Sequence, residues 1–140
     1  MPMEGFGVFQ IPDTQCEQVV LDAIQVGYRL FDTASSYKNE DAGMVKREDL
    51  FITTKAYIQQ MGYEKTVQAF YESLHKLDLE YLDLYLIHMP LGDYYGAWRA
   101  MEDLYEAGKI RAIGVCNFDG ARLMDLCCNA RIKPMINQIE

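Results

Sequence analysis

Histidine and paired cysteines are scarce in this sequence. The 140 residues hold two histidines, His75 and His88, and four cysteines with no C-x-x-C spacing among them. No cysteine sits near either histidine at ligand spacing, so a structural zinc is not expected. Basic residues are also in deficit, with 13 Lys and Arg against 21 Asp and Glu and a formal charge of −8. No local run of Lys or Arg offsets that charge, which argues against a nucleic acid or an anionic membrane as partner. Apolar runs fall far short of the ~20 residues that cross a bilayer. The opening Met1-Pro2-Met3-Glu4-Gly5 has neither the basic nor the apolar part of a signal peptide. The expectation is a cytoplasmic protein. Cys16 and Cys127 read as small buried residues on helix faces, because cysteine is among the most buried types.

Linkers and low-complexity segments are missing too, so residues 1–140 read as a single domain. What the sequence does contain is an alternation of short apolar runs with amphipathic helices. Gly5 to Phe9 is the first run. Thr14-x-x-Glu17 reads as a capping box opening a helix, with Cys16, Val19, Val20, Ala23 and Ile24 on its apolar face and Gly27 closing it. Strands are expected over Tyr28 to Asp32, Leu50 to Thr54, Leu82 to Ile87, Ile110 to Val115 and Met135 to Ile139. Helices are expected between Tyr63 and Leu79, around Ala97 to Tyr105, and from Ala121 to Asn129. In the second of these Trp98 lies on the inward face.

Strands alternating with helices mean βαβ units and a parallel sheet, and near-continuous apolar strands mean both faces are covered. An open doubly wound sheet and a barrel both satisfy that. Gly5 and Gly7 lack the third glycine of a G-x-G-x-x-G fingerprint, which favours the barrel: an α/β, incomplete TIM-type (β/α) barrel of six parallel strands.

Asp32, Lys55, His88, Asn117 and Gln138 each fall at the C-terminal end of a successive predicted strand. In a (β/α) barrel those ends converge on one face, where the chemistry sits. Each residue has a plain alternative as a cap, a solvated terminus or a backbone partner; five at matching positions point to a shared site. Asp32 and Lys55 on neighbouring strands would form a partly buried ion pair, tolerable because each charge has a partner. Tyr37 follows in the loop after Asp32. A phenol ordinarily ionises far above neutral pH, and an ammonium beside it favours the phenolate and draws it toward the working range. His88 adds a donor able to hold a carbonyl oxygen. Together these groups suit protonation of an oxygen as a hydride reaches the adjoining carbon.

The segments Phe31-Asp32-Thr33-Ala34-x-x-Tyr37-x-Asn39-Glu40, Ile52-Thr53-Thr54-Lys55, Asp83-Leu84-Tyr85-Leu86-Ile87-His88 and Gly108-Lys109-Ile110-Arg111-x-Ile113-Gly114-Val115-x-Asn117-Phe118, with the closing Asn137-Gln138-Ile139-Glu140, resemble the aldo-keto reductases from Gly5 to Glu140 with one gap. The resemblance implies NADPH-dependent reduction of an aldehyde or ketone. In it Tyr37 is the general acid, Lys55 lowers its pKa, Asp32 holds Lys55 and His88 orients the carbonyl. It also implies that Asn117 and Gln138 hold the nicotinamide carboxamide, with Cys116 and Val8 among the cofactor-binding positions.

Several features depart from the family pattern. The last two βα units, which carry the phosphate grip in barrels, have no counterpart within residues 1–140, so weakened NADPH affinity is expected. The stretch between Tyr37 and Leu50 is shorter than the family's, Glu4 stands where an apolar residue leads into the first strand, and Cys116 replaces a serine with a weaker donor. Open first and last strands would invite self-association. Two other readings of the function stand beside the reductase: a non-catalytic remnant that associates with itself or a partner, and a lyase using Lys55 as a Schiff-base nucleophile. Asp32 beside Lys55 disfavours the latter by keeping the amine charged.

Overall fold

The computed structural model describes residues 1–8, 11–32 and 46–139. Six strands and four helices alternate along them: β1 (Gly5–Gly7), α1 (Asp13–Gln25), β2 (Leu30–Asp32), β3 (Phe51–Ala56), α2 (Tyr63–Leu77), β4 (Leu84–Ile87), α3 (Tyr94–Glu106), β5 (Ile113–Cys116), α4 (Gly120–Asn129) and β6 (Asn137–Gln138). All neighbouring pairs are parallel, in the order β1-β2-β3-β4-β5-β6. This is the sequential order of a barrel, and the sheet curls as a half-barrel with helices between its strands. Single 3-10 turns at Arg47–Asp49 and Ile58–Gln60 flank β3. The expected second crossover falls largely outside the described residues.

Alternation along the strands sorts side chains onto two faces. Tyr85, Ile87, Ile113 and Val115 face the helices, where they join Phe70, Leu74, Trp98, Met101, Leu104 and Leu126 in the main core. Burying each large side chain here contributes roughly 1.5–3 kcal/mol. A second cluster seats α1 on the first strands through Val8, Cys16, Val20, Ala23, Ile24 and Phe31. The opposite, concave face carries Leu84, Leu86 and Cys116, with Phe51, Ala112 and Ile136 against them. Gly114 lies on that face opposite Leu86. A Cβ there would stand 2.7 Å from the Ile136 carbonyl and 2.8 Å from Leu86 Cδ2, so the close approach of β5 to the segment entering β6 requires glycine.

At the N-terminal ends of the strands Asp83, 2% exposed, accepts from the Ile52 backbone N–H at 3.0 Å and pairs with Arg47 at 2.7 Å and Arg111 at 3.1 Å. Both guanidinium groups lie over the Tyr81 ring. A buried charge with this many partners ties β3, β4 and β5 together at the pole opposite the candidate site. The segment after α4 is held in the same manner. Buried Glu102 accepts from the Ile132 N–H at 2.9 Å and pairs with Arg131 at 3.2 Å, while Trp98 Nε1 donates to the Ile132 carbonyl at 3.0 Å.

Some local expectations need correcting. Thr14 and Glu17 do not form a capping box. Pro12 precedes the first helical residue with φ −59°, its carbonyl takes the Gln15 N–H, and no side chain caps α1. The helix thus begins before Thr14, at the fixed φ of proline. In α2 helical spacing puts Val67, Phe70, Tyr71, Leu74 and Leu77 on one face, whereas the buried face is Thr66, Ala69, Phe70, Ser73 and Leu74, and Tyr71 is exposed. Cys16 is buried as expected, but Cys127 is only half-buried, since α4 turns Leu126 and Leu123 to the core. The four cysteines are free thiols.

Candidate active site

Asp32 closes β2 and Lys55 lies one residue from the end of β3. Lys55 is in register with Leu86 of the concave face, which aims its ammonium inward. Its Nζ reaches Asp32 Oδ1 at 2.5 Å, with the side chains 13% and 21% exposed. Partial burial makes the pair mutually dependent: either charge alone would lose hydration without an offsetting partner.

The second oxygen of Asp32 is also engaged. Gln138 Nε2 donates to Asp32 Oδ2 at 3.0 Å, and Gln138 Oε1 accepts from the Cys116 thiol at 3.5 Å. A chain of polar contacts therefore runs from Cys116 on β5 through Gln138 on β6 to Asp32 and Lys55 on β2 and β3. Donor and acceptor ends of the Gln138 amide are each assigned a partner, which fixes its orientation.

Asn117 follows β5 with φ 59°, a left-handed conformation that asparagine tolerates better than most residues. Its N–H donates to the Gln138 carbonyl at 2.9 Å and its Nδ2 to Met89 Sδ at 3.4 Å. Asn137 supports this turn from β6, donating through Nδ2 to the Phe118 carbonyl at 2.8 Å and accepting the Phe118 N–H at 3.4 Å. His88 follows β4. Its N–H donates to the Ala56 carbonyl at 3.0 Å, and its ring packs on that of Tyr57 with centroids 5.4 Å apart.

Asp32, Lys55 and Gln138 are thus joined through their side chains, Asn117 reaches Gln138 through its backbone N–H, and His88 stands at the end of the intervening strand. Cys116 joins them through Gln138. Val8 sits beside Asp32 by way of its N–H, which donates to the Asp32 carbonyl at 3.2 Å. Its side chain is committed to the α1 cluster, so only its backbone faces this neighbourhood. Tyr37 lies outside the described residues. Tyr57, Met89 and Asn137 contact His88, Asn117 and Phe118 without being selected by the strand-end pattern; their closeness in sequence to Lys55, His88 and Gln138 is the one signal available.

The aldo/keto reductase family model matches residues 5–140. The chain belongs to the aldo/keto reductase family. It is 51% identical over its whole length to an uncharacterized oxidoreductase, YtbE, of Bacillus subtilis, and 50% identical to a glyoxal reductase of the same organism. Those alignments cover 55% and 54% of the two relatives, so the chain spans about half the length of the curated relatives it matches. Among solved structures, an aldo-keto reductase from a deep-sea metagenome library of the Medee basin superposes with a TM-score of 0.94 at 44% identity, over 100% of this chain and 55% of that one. A Bombyx mori aldo-keto reductase in complex with NADP superposes at 0.90 with 36% identity, over 100% and 54%. Likeness at this level extends to the strand order and to the half-barrel itself.

Proposed function

We propose that this chain supplies the carbonyl-reducing centre of an NADPH-dependent reductase acting on small aldehydes or ketones in the cytoplasm. The observation that carries the reading is the Lys55–Asp32 pair at 2.5 Å, set at the mouth with the Asn117 and Gln138 amides. A nicotinamide carboxamide has one acceptor oxygen and two donor hydrogens. Asn117 and Gln138, at the ends of adjacent strands, offer both complements. The donor set suits the nicotinamide end of the cofactor, which supplies a hydride when bound.

In this reading the residues divide the remaining work. His88 donates to the carbonyl oxygen and fixes its direction. Tyr37 gives that oxygen its proton as the carbon receives the hydride, so the carbonyl becomes an alcohol and the phenolate is left behind. Lys55 favours that phenolate by its charge, and Asp32 holds Lys55 in place. Gln138 keeps Asp32 oriented while presenting its amide to the cofactor side. The names of two relatives, the glyoxal reductase and a methylglyoxal reductase of Escherichia coli 41% identical to this chain, make small dicarbonyl compounds the first substrates to try.

The test follows loss of NADPH absorbance with methylglyoxal and a panel of simple aldehydes. Tyr37→Phe and Lys55→Met are each expected to lower turnover by about a hundredfold or more. Turnover that survives Tyr37→Phe unchanged would remove the mechanism, and failure of the unaltered chain to turn over any of them would remove the function.

A further inference from the structure

We propose that Met89 is an oxidation site, and that its sulfoxide captures the Asn117 amide and weakens the hold on a nicotinamide carboxamide. The consequence for the cofactor rests on the reading of Asn117 given above; the oxidation site itself does not.

Met89 is placed unlike the other methionines among the described residues. Met61 and Met101 are buried in the core, whereas Met1, Met3, Met124 and Met135 are exposed. Met89 is half-buried at the mouth, directly after His88. Its backbone is fixed on both sides: the preceding His88 N–H is bonded to Ala56, and the Met89 carbonyl accepts the Leu91 N–H at 2.8 Å. Pro90 between them restricts the turn further. The half-buried side chain is thus held with its sulfur 3.4 Å from Asn117 Nδ2.

A thioether is a weak acceptor. Transfer of one oxygen from a hydroperoxide breaks the O–O bond and forms an S–O bond. The sulfur loses two electrons, and the peroxide is reduced to water or an alcohol. The product carries a strong acceptor oxygen in place of a soft one, on a side chain that has become polar. That oxygen forms directly beside an amide donor already directed at the sulfur, so the N–H facing it is held more firmly and competes less readily for a carboxamide oxygen. Methionine sulfoxide is reducible by thiol-dependent reductases, which makes the change reversible.

The experiment uses the 15N-labelled chain, graded hydrogen peroxide with catalase quenching, peptide mass mapping, and spectra of the Asn117 side-chain amide assigned with Asn117→Ser. Met89→Leu, a volume-conserving change, is carried in parallel to discount oxidation elsewhere. Met89 is expected to gain one oxygen at doses that leave Met61 and Met101 reduced, with the Asn117 amide signals shifting in step. NADPH affinity by nucleotide fluorescence should fall about tenfold, the worth of one lost hydrogen bond, and Met89→Leu should show neither change. Met89 remaining reduced until the core methionines oxidise, Asn117 signals that do not respond, or measurable NADPH binding of equal affinity in the two forms would each overturn the proposal. A shifted Asn117 signal in a chain that binds no NADPH in either form supports the oxidation site and removes the cofactor reading instead.

Discussion

Gln138 at the end of β6 donates to Asp32 at the end of β2, 3.0 Å away, although β3, β4 and β5 lie between them. Four interstrand steps of about 4.8 Å would set the two strands roughly 19 Å apart in a flat sheet, beyond the reach of the two side chains. The contact exists because the sheet curls, and it ties the first half of the site to the last strand.

That tie predicts a graded response at Gln138 and Cys116. Gln138→Leu removes the donor to Asp32 and is expected to cost about 1 kcal/mol in chemical denaturation, a charge-assisted bond reduced by partial exposure. Cys116→Ser keeps a donor for Gln138 Oε1 and should match or exceed the unaltered chain, while Cys116→Val should fall below it. Equal stability of the serine and valine variants would show that the thiol does not orient Gln138.

Gly114→Ala should be costly despite the small change in volume. The added methyl meets the Ile136 backbone carbonyl and Leu86 Cδ2 at sub-van der Waals separations, and the carbonyl does not retreat without moving the segment that enters β6. A loss of about 1–3 kcal/mol is expected. Thermal unfolding that leaves the midpoint in place would contradict the close packing of this turn of the concave face.

Tyr85 gives the opposite sign. Its hydroxyl is buried with no partner among the described residues, and burial pushes the phenol above its ordinary pKa. Tyr85→Phe keeps the ring that packs edge-on against Phe70 at 5.6 Å and removes an unsatisfied donor. The variant should be neutral to about 1 kcal/mol more stable, read from the denaturation midpoint. Clear destabilisation would mean that the hydroxyl is bonded after all.

A pH effect is expected on the surface of α3. The Tyr63 hydroxyl, 2.7 Å from Asp103 Oδ2, and the Arg131 guanidinium at 2.5 Å from Oδ1 hold the Asp103 carboxyl below the ordinary range. Its folded pKa being lower than its unfolded one, the contribution is complete above the unfolded value, about pH 4, and is lost as the pH falls through the folded value. Titration by carboxyl NMR should place Asp103 below the exposed carboxylates. Tyr63→Phe should move it upward, since the phenol is the first of the two causes; an unmoved Asp103 would assign the effect to Arg131 alone.

Much of this was legible in the sequence for a definite reason. Apolar runs such as Leu84 to Ile87 show burial on both faces, and the polar residue ending each run is visible without coordinates, so parallel βαβ order and the Asp32–Lys55 pairing could be read directly. Start signals were less secure. Thr14 and Glu17 have capping-box spacing, yet Pro12 sets the helix start, because backbone restriction acts before a side-chain bond can form. The Asp32–Lys55 pair was legible from strand order, but other contacts between strand ends were not: His88 with Tyr57, Asn117 with Met89, and Asn137 with Phe118 each depend on which neighbours the turns deliver.

Residue order alone determined the sequential parallel strands, the concave positions of Asp32 and Lys55, and membership in the aldo/keto reductase family, because period-two burial and residue type are local properties of the chain. Only the tertiary structure decided that Asp32 serves two partners, that Cys116 meets Gln138, and that a thioether stands at Asn117. Those outcomes follow from curvature, and curvature accumulates over all six strands rather than residing in any one of them.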